Sequence, residues 1–340
     1  MNTKSFLKLL GKYSKEEHLR LMKGTLNIDY SKLSSIKPIF SERWKNQNVV
    51  VPYIAESHII DSYYSLPERP DIAFTCLWKA INNSYNNYFL KQANNNLSCK
   101  KLSDTKSLEK VVEHISNDSN KSFNYNSVNY TIEELVNIYI NKIPDKTYSF
   151  VSNYILKGMA VTGPNVSGVS DIYASSSYKT FKSKFASIHD VIEKTYGEKY
   201  RNICNVSLSS DKTYVNFGIN DSNKIKSRKL VHNLSISLRD MLEGNICKLD
   251  NKDSKYSGEI KLLSFHERLS FLVFVILYAV RNNNTHGNVV SRMNSAYTNS
   301  DSFKAAEYIF LLAHMFLSLI MYKNGDLHLD ELGFNVVNIQ

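Results

Sequence analysis

Apolar residues recur at helical spacing along most of this chain. The strongest case is Ile72–Leu90, where Phe74, Leu77, Trp78, Ile81, Tyr85 and Tyr88 fall at i, i+3/i+4, i+7 intervals. That stripe predicts a helix with one buried face, and Asp71, just after Pro67 and Pro70, marks its start. Further helices are predicted over Ser107–Ile115, Ile132–Ile143, Ser149–Met159 and Leu230–Leu242, with one or two short polar ones in residues 1–45. The two most apolar stretches, Leu269–Val280 and Tyr308–Tyr322, predict buried helices spanning Ser264–Val280 and Ser302–Tyr322. Both fall short of the roughly 18–20 apolar residues that a membrane-spanning helix needs, and His314 interrupts the second. Strand signals are few. Val49–Val51 is a β-branched run, strand-like or extended, and Cys204–Ile219 alternates like a hairpin turning at Ser210-Asp211-Lys212. Residues 249–257 read as a polar turn, and no repeat of 20–50 residues is visible. The pattern predicts a mainly α fold with a few short strands.

Composition adds to this picture mainly through charge. At 43% hydrophobic and 22% charged, the 340 residues resemble an ordinary globular protein. The first twenty residues hold only a short apolar patch among Lys4, Lys8 and Lys12, so no secretory signal is expected. Four singly scattered cysteines (Cys76, Cys99, Cys204, Cys247) fit a reducing cytoplasm. The net charge of +10 favours a polyanionic partner, nucleic acid first. The competing explanation is a Lys- and Asn-rich chain from an AT-rich genome. Basic residues concentrate in 1–60 and 178–229. A Gly/Ser/Pro-rich stretch, Thr162–Ser177, is the best loop or internal boundary.

The chemistry-bearing candidate closes the penultimate helix, where Arg281-Asn282-Asn283-Asn284-Thr285-His286 follows a long apolar run. On a continuous helix, Arg281 and His286 would lie about 140° apart. They converge only if the helix ends or kinks between them, and Asn282–Asn284 with Gly287 supply such an ending. The pair suits RNA cleavage without a metal. An imidazole near pKa 6.5 exchanges protons at neutral pH, and a guanidinium fork matches phosphate oxygens. The alternative is a helix-end arginine capping carbonyls beside a surface histidine. Spacing alone is a weak signal.

The context resembles the HEPN superfamily, helical-bundle proteins that include metal-independent ribonucleases. Its signature is Arg-x4–6-His with a polar residue after the arginine, as in Arg281, Asn282 and His286. The early helix of many members resembles F-x-x-L-W-x-A-x-N-x-x-Y, matched by Phe74, Leu77, Trp78, Ala80, Asn82 and Tyr85. The resemblance covers residues 70–325 and implies a HEPN-like helical bundle with long insertions. It divides the chain into a basic accessory segment (1–65), a HEPN-like domain (66–325, with 95–230 as an elaborated insertion) and a C-terminal tail (326–340). It also implies an endoribonuclease that needs no cofactor or metal, with Arg281, Asn282 and His286 as the candidate catalytic set. Such sites commonly form where two units face each other. Because this chain has one Arg-x4–6-His, a homodimer with a composite site is expected, or a heterodimer. Toxin and abortive-infection (anti-phage) contexts, with a regulatory or antitoxin partner, belong to the same resemblance.

RNA is expected on Lys179, Lys182 and Lys184, which alternate with Tyr178, Phe181 and Phe185, and on Lys224, Lys226 and Arg228. The first run reads equally as an amphipathic helix with buried rings and solvated lysines, and the second as a solvated face. Asn82 and Tyr85 line the site or pack in the core, and Asn282 orients the pair or stops the helix. His314 reads as a hydrogen-bonded core histidine, and the cluster around His328 is a weak metal signal. The rival function is a non-catalytic RNA- or nucleotide-binding module, with a protein-interaction subunit as a third reading. Walker, GxGxxG, HExxH and GxSxG motifs are absent.

Overall fold

The computed structural model describes residues 3–95, 102–163, 171–211, 214–285 and 293–340. They form a mainly α-helical protein with two-stranded antiparallel hairpins. The chain divides into two compact units, one built from Met1–Pro144 with Asn283–Gln340 and the other from Asp145–Asn282.

Short helices α1 (Thr3–Gly11), α2 (Lys15–Lys23) and α3 (Ser31–Ser34) open the first unit, followed by α4 (Tyr53–Tyr64) and α5 (Pro70–Asn95). Proline suits the first position of α5, where its missing N–H is no loss. The whole predicted stripe of α5, from Phe74 to Tyr88, is buried. Helix α6 (Asp104–Ser116) precedes the hairpin β1 (Ser122–Tyr125) and β2 (Val128–Thr131), whose turn residues Asn126 and Ser127 take φ of 50° and 65°. Positive φ at both positions is what a two-residue hairpin turn demands. Helix α7 (Ile132–Ile140) starts on a capping box. Thr131 Oγ1 accepts from the Glu134 N–H (3.0 Å), and the Glu134 carboxylate accepts from the Thr131 N–H (2.6 Å).

The second unit holds α8 (Asp145–Val161), α9 (Ser176–Lys184), α10 (Ala186–Ile192) and α11 (Glu198–Arg201). The hairpin β3 (Cys204–Leu208) with β4 (Val215–Ile219) follows, in the register Cys204↔Ile219, and then α12 (Lys224–Leu242) packs on α8. The expected polar turn at 249–257 is a second hairpin, β5 (Cys247–Asn251) with β6 (Tyr256–Ile260). Its strands bury little besides Leu249, Asn251 and Ile260, so the alternation is faint. Helix α13 (Phe265–Phe271), π-helical turns at Leu272–Leu277 and α14 (Tyr278–Thr285) then run end to end.

The chain returns to the first unit for α15 (Ser300–Asn324) and α16 (Phe334–Ile339). By length and composition α15 could cross a bilayer. Every residue from Tyr308 to Met321 is buried in the unit, where the helix packs along α5. Gly325 stops it with φ 78°, a left-handed cap that favours glycine.

Val49–Val51, expected as strand-like or extended, lies outside the strands and leads into α4, a helix the pattern did not announce. In the C-terminal tail, residues 326–340, Leu327, Leu332, Val336 and Ile339 are buried, and Asn338 exchanges two hydrogen bonds with the Lys37 backbone (2.7 and 2.9 Å). The polar run Asp326–Glu331 disguises that apolar spacing. Within residues 1–65, Met22, Leu33, Ala55 and Ile59 are buried in the first unit. Thr162–Ser177, expected as a loop or internal boundary, falls inside the second unit, whose limits are 144/145 and 282/283.

Candidate active site

The helix that carries the motif begins on a second capping box, in which Ser264 Oγ accepts from the Glu267 N–H at 3.2 Å. Glu267 accepts in turn from the N–H groups of Ser264 and Leu263, and this keeps its carboxyl pKa below the usual value. The next two turns are apolar on all sides, and all six residues of Leu272–Leu277 are buried. Here the backbone opens into π-helical turns, with the Tyr278 N–H bonded back to the Val273 carbonyl. The Tyr154 hydroxyl of α8 donates to the Val275 carbonyl at 2.9 Å. A π turn fits an extra residue into the helix and so re-aims everything after it.

Arg281 and Asn282 lie just beyond, in α14. Arg281 is half-buried, its guanidinium 5.6 Å from the centre of the Tyr278 ring. Its Nη1 donates to Asn282 Oδ1 at 2.9 Å. Asn282 is buried, and its Nδ2 finds no hydrogen-bond partner among the described residues. A buried N–H left unpaired costs on the order of 1–3 kcal/mol. The arrangement presents a held guanidinium beside an unspent amide donor, two groups that suit an anionic oxygen. The expected helix ending at Asn282–Asn284 does not occur, because α14 remains helical through Thr285. Asparagine's weak helix preference is overridden by the apolar stretch that anchors the turns before it. His286 lies outside the described residues.

The basic candidates divide by burial. Tyr178, Phe181 and Phe185 are buried, so their rings are closed to stacking bases, while Lys179 and Lys182 are exposed on α9. Lys184 is half-buried, its ammonium 4.1 Å from the centre of the Phe274 ring in the π-helical turns. Lys224, Lys226 and Arg228 are exposed on the first turns of α12, with Lys224 paired to Asp221 at 2.5 Å. The second unit holds twenty lysines and arginines against thirteen acidic residues, +7 of the chain's +10.

The remaining candidates resolve as structure. On α5, in the first unit, the Tyr85 hydroxyl donates to Asn82 Oδ1 at 2.9 Å; Tyr85 is buried and Asn82 half-buried. His314 is fully buried, with Nε2 2.9 Å from the Tyr63 hydroxyl. His328 sits exposed at the start of a 3-10 turn, 3.4 Å from Asp330. Among the described residues, no group of three or more His, Cys, Asp or Glu is placed to hold a metal ion. Sequence reading missed the role of Tyr154 and the orphaned Asn282 donor, since neither carries a periodic or spacing signal. Comparison with protein-family models, with curated proteins and with solved structures gives no match for this chain.

Proposed function

We propose that the protein is a metal-independent endoribonuclease of HEPN type. The observation that carries this reading is the Arg281–Asn282 pair, a fixed guanidinium beside an unpartnered buried amide, set at the head of an Arg-x4-His motif. In the proposed reaction the ribose 2′-oxygen attacks the adjacent phosphorus and the bond to the 5′-oxygen breaks. His286 takes the proton from the 2′-hydroxyl or supplies one to the departing 5′-oxygen. Arg281 and the Asn282 amide meet the charge that builds on the phosphoryl oxygens. The products are a 2′,3′-cyclic phosphate and a 5′-hydroxyl. A homodimer with a composite site and a toxin or anti-phage role with a neutralising partner follow by family analogy alone, and a cytoplasmic setting from the scattered cysteines.

The test is incubation of wild type and the Arg281→Ala/His286→Ala double variant with total cellular RNA in EDTA, followed by mapping of the product ends. Cleavage by the wild type alone, leaving cyclic-phosphate ends, is the expected result. Equal cleavage by both places the chemistry elsewhere. A second reading, a non-catalytic RNA-binding module, draws on the exposed cations of α12 and the charge of the second unit. RNA binding without cleavage, unchanged by His286→Ala, supports that reading.

A further inference from the structure

Helix α1 is amphipathic, and the protein leaves its apolar side in water. At about 100° per residue, Leu7, Leu9 and Leu10 span roughly 160° of its circumference, and Lys8 stands opposite their midpoint. An amphipathic helix of a globular protein normally turns such a stripe to the core. Here Leu7 is 60% and Leu10 65% exposed, Leu9 is half-buried, and Tyr13, just past the helix end, is 63% exposed. Among the described residues, no helix or strand packs along α1. Helix α2, next in the chain, instead buries Met22.

The charge of this segment is of one sign. Residues 1–15 hold Lys4, Lys8, Lys12 and Lys15 and no aspartate or glutamate. Lys8, Lys12 and Lys15 are exposed, and among the described residues Lys8 and Lys12 pair with no carboxylate. The first acidic residues are engaged locally. Glu16 accepts from Ser14 Oγ at 2.8 Å, and Glu17 accepts two hydrogen bonds from Arg20 (2.6 and 2.7 Å).

Leucines on one side and cations on the other match an anionic lipid surface. A helix of this kind lies in the bilayer interface, its apolar face about 5–10 Å into the boundary between headgroups and acyl chains. Lysine stems run along the apolar surface while their ammonium groups stay among the lipid phosphates. Tyrosine suits the headgroup level, where its ring is covered and its hydroxyl is wet. An RNA strand would meet the lysines and leave the leucines in water.

We infer that α1 is a membrane-docking helix that lies on bilayer surfaces rich in anionic lipid, with Leu7, Leu9 and Leu10 in the interface and Lys8 and Lys12 on the headgroups. Nine residues bury too little for permanent attachment, so docking is reversible and needs both halves of the helix. The inference goes beyond the ribonuclease reading and does not depend on it, because its readout is vesicle binding.

The full-length protein is sedimented with vesicles of phosphatidylcholine alone and of a two-to-one mixture of phosphatidylcholine and phosphatidylglycerol. Binding to the mixed vesicles alone is the expected result, and it weakens as salt rises. Leu7→Ser with Leu10→Ser is expected to lower the affinity at least tenfold. Lys8→Ala with Lys12→Ala is expected to lower it about twentyfold, since each lysine beside an anionic surface contributes roughly fivefold. All four positions are exposed, so the melting temperature of either variant stays unchanged. A Tyr13→Trp variant is expected to shift its fluorescence to the blue on binding, as its ring enters the interface. A wild type that ignores the mixed vesicles overturns the inference, as does binding that survives either pair of substitutions. Failure to bind vesicles, together with RNA binding lost in Lys8→Ala/Lys12→Ala, would assign the segment to RNA and overturn it equally.

Discussion

Asn282 is half satisfied. Its carbonyl holds Arg281, while its amide nitrogen is buried without a partner. A group kept at a cost to stability is a candidate for function, and the two contributions separate in one variant. Asn282→Leu removes the orphaned donor and is expected to stabilise the fold by about 1 kcal/mol in urea unfolding. The same variant is expected to lose at least tenfold in RNA cleavage. Loss of both stability and activity would mean the side chain is merely structural. His314 is also half satisfied: its Nδ1 is buried without a partner among the described residues, while its Nε2 faces a hydroxyl. The Tyr63 hydroxyl accepts from the Ile39 N–H (2.7 Å), so its own proton points to His314 Nε2 and the imidazole is neutral. Burial holds the ring's pKa at about 3, against 6.5 when free, with Asn335 pulling weakly the other way. The unfolded chain therefore takes up this proton more readily than the folded one. The stabilising contribution is complete above pH 6.5 and fades as pH falls toward 3, a loss on the order of 5 kcal/mol. His314→Gln keeps an acceptor for Tyr63 without titrating, so its stability curve should be flatter between those limits. Parallel curves for the two proteins would place the acid sensitivity in other groups.

Among elements, the apolar helix before Arg281 shows what periodicity reveals and what it hides. Its existence and burial were legible, since an unbroken run such as Phe271–Leu277 has no polar face to give to water. The same run contains no polar marker against which a change of phase would register, so its π-helical turns left no trace in the pattern. They rest on a contact from another helix, the Tyr154 hydroxyl on the Val275 carbonyl. Tyr154→Phe keeps the ring and deletes that bond. It is expected to speed amide exchange in residues 272–282 and to cut cleavage about tenfold, with RNA affinity unchanged. Unaltered exchange would show that packing alone sets the turns. Helix α4 escaped notice for a related reason: with isoleucine and tyrosine on both faces it has no amphipathic contrast to detect. The α5 stripe was read correctly because its polar positions, among them Asn86 and Lys79, lie on the exposed side.

At the scale of the whole molecule, charge is divided unevenly, with +7 in the second unit. The substitutions Lys224→Glu, Lys226→Glu and Arg228→Glu together are expected to weaken RNA binding at least tenfold. They should also flatten the dependence of log affinity on log salt by roughly 2–3. An unchanged salt slope would move the RNA path away from α12. The division into units was not legible, because helical periodicity says which face of a segment is buried and never against which other segment. That division has a consequence for manufacture. The first unit needs α5 and α15 side by side, yet the ribosome makes the whole second unit between them. Synthesis runs at about 5–20 residues per second and domains tend to close as they emerge. The second unit can therefore finish while α5 still waits, its buried stripe open to water, for a partner helix not yet translated. The apolar helix that completes the pairing with α5 is thus also its timer, and a ribosome that stalls before α15 releases a chain whose first unit cannot close.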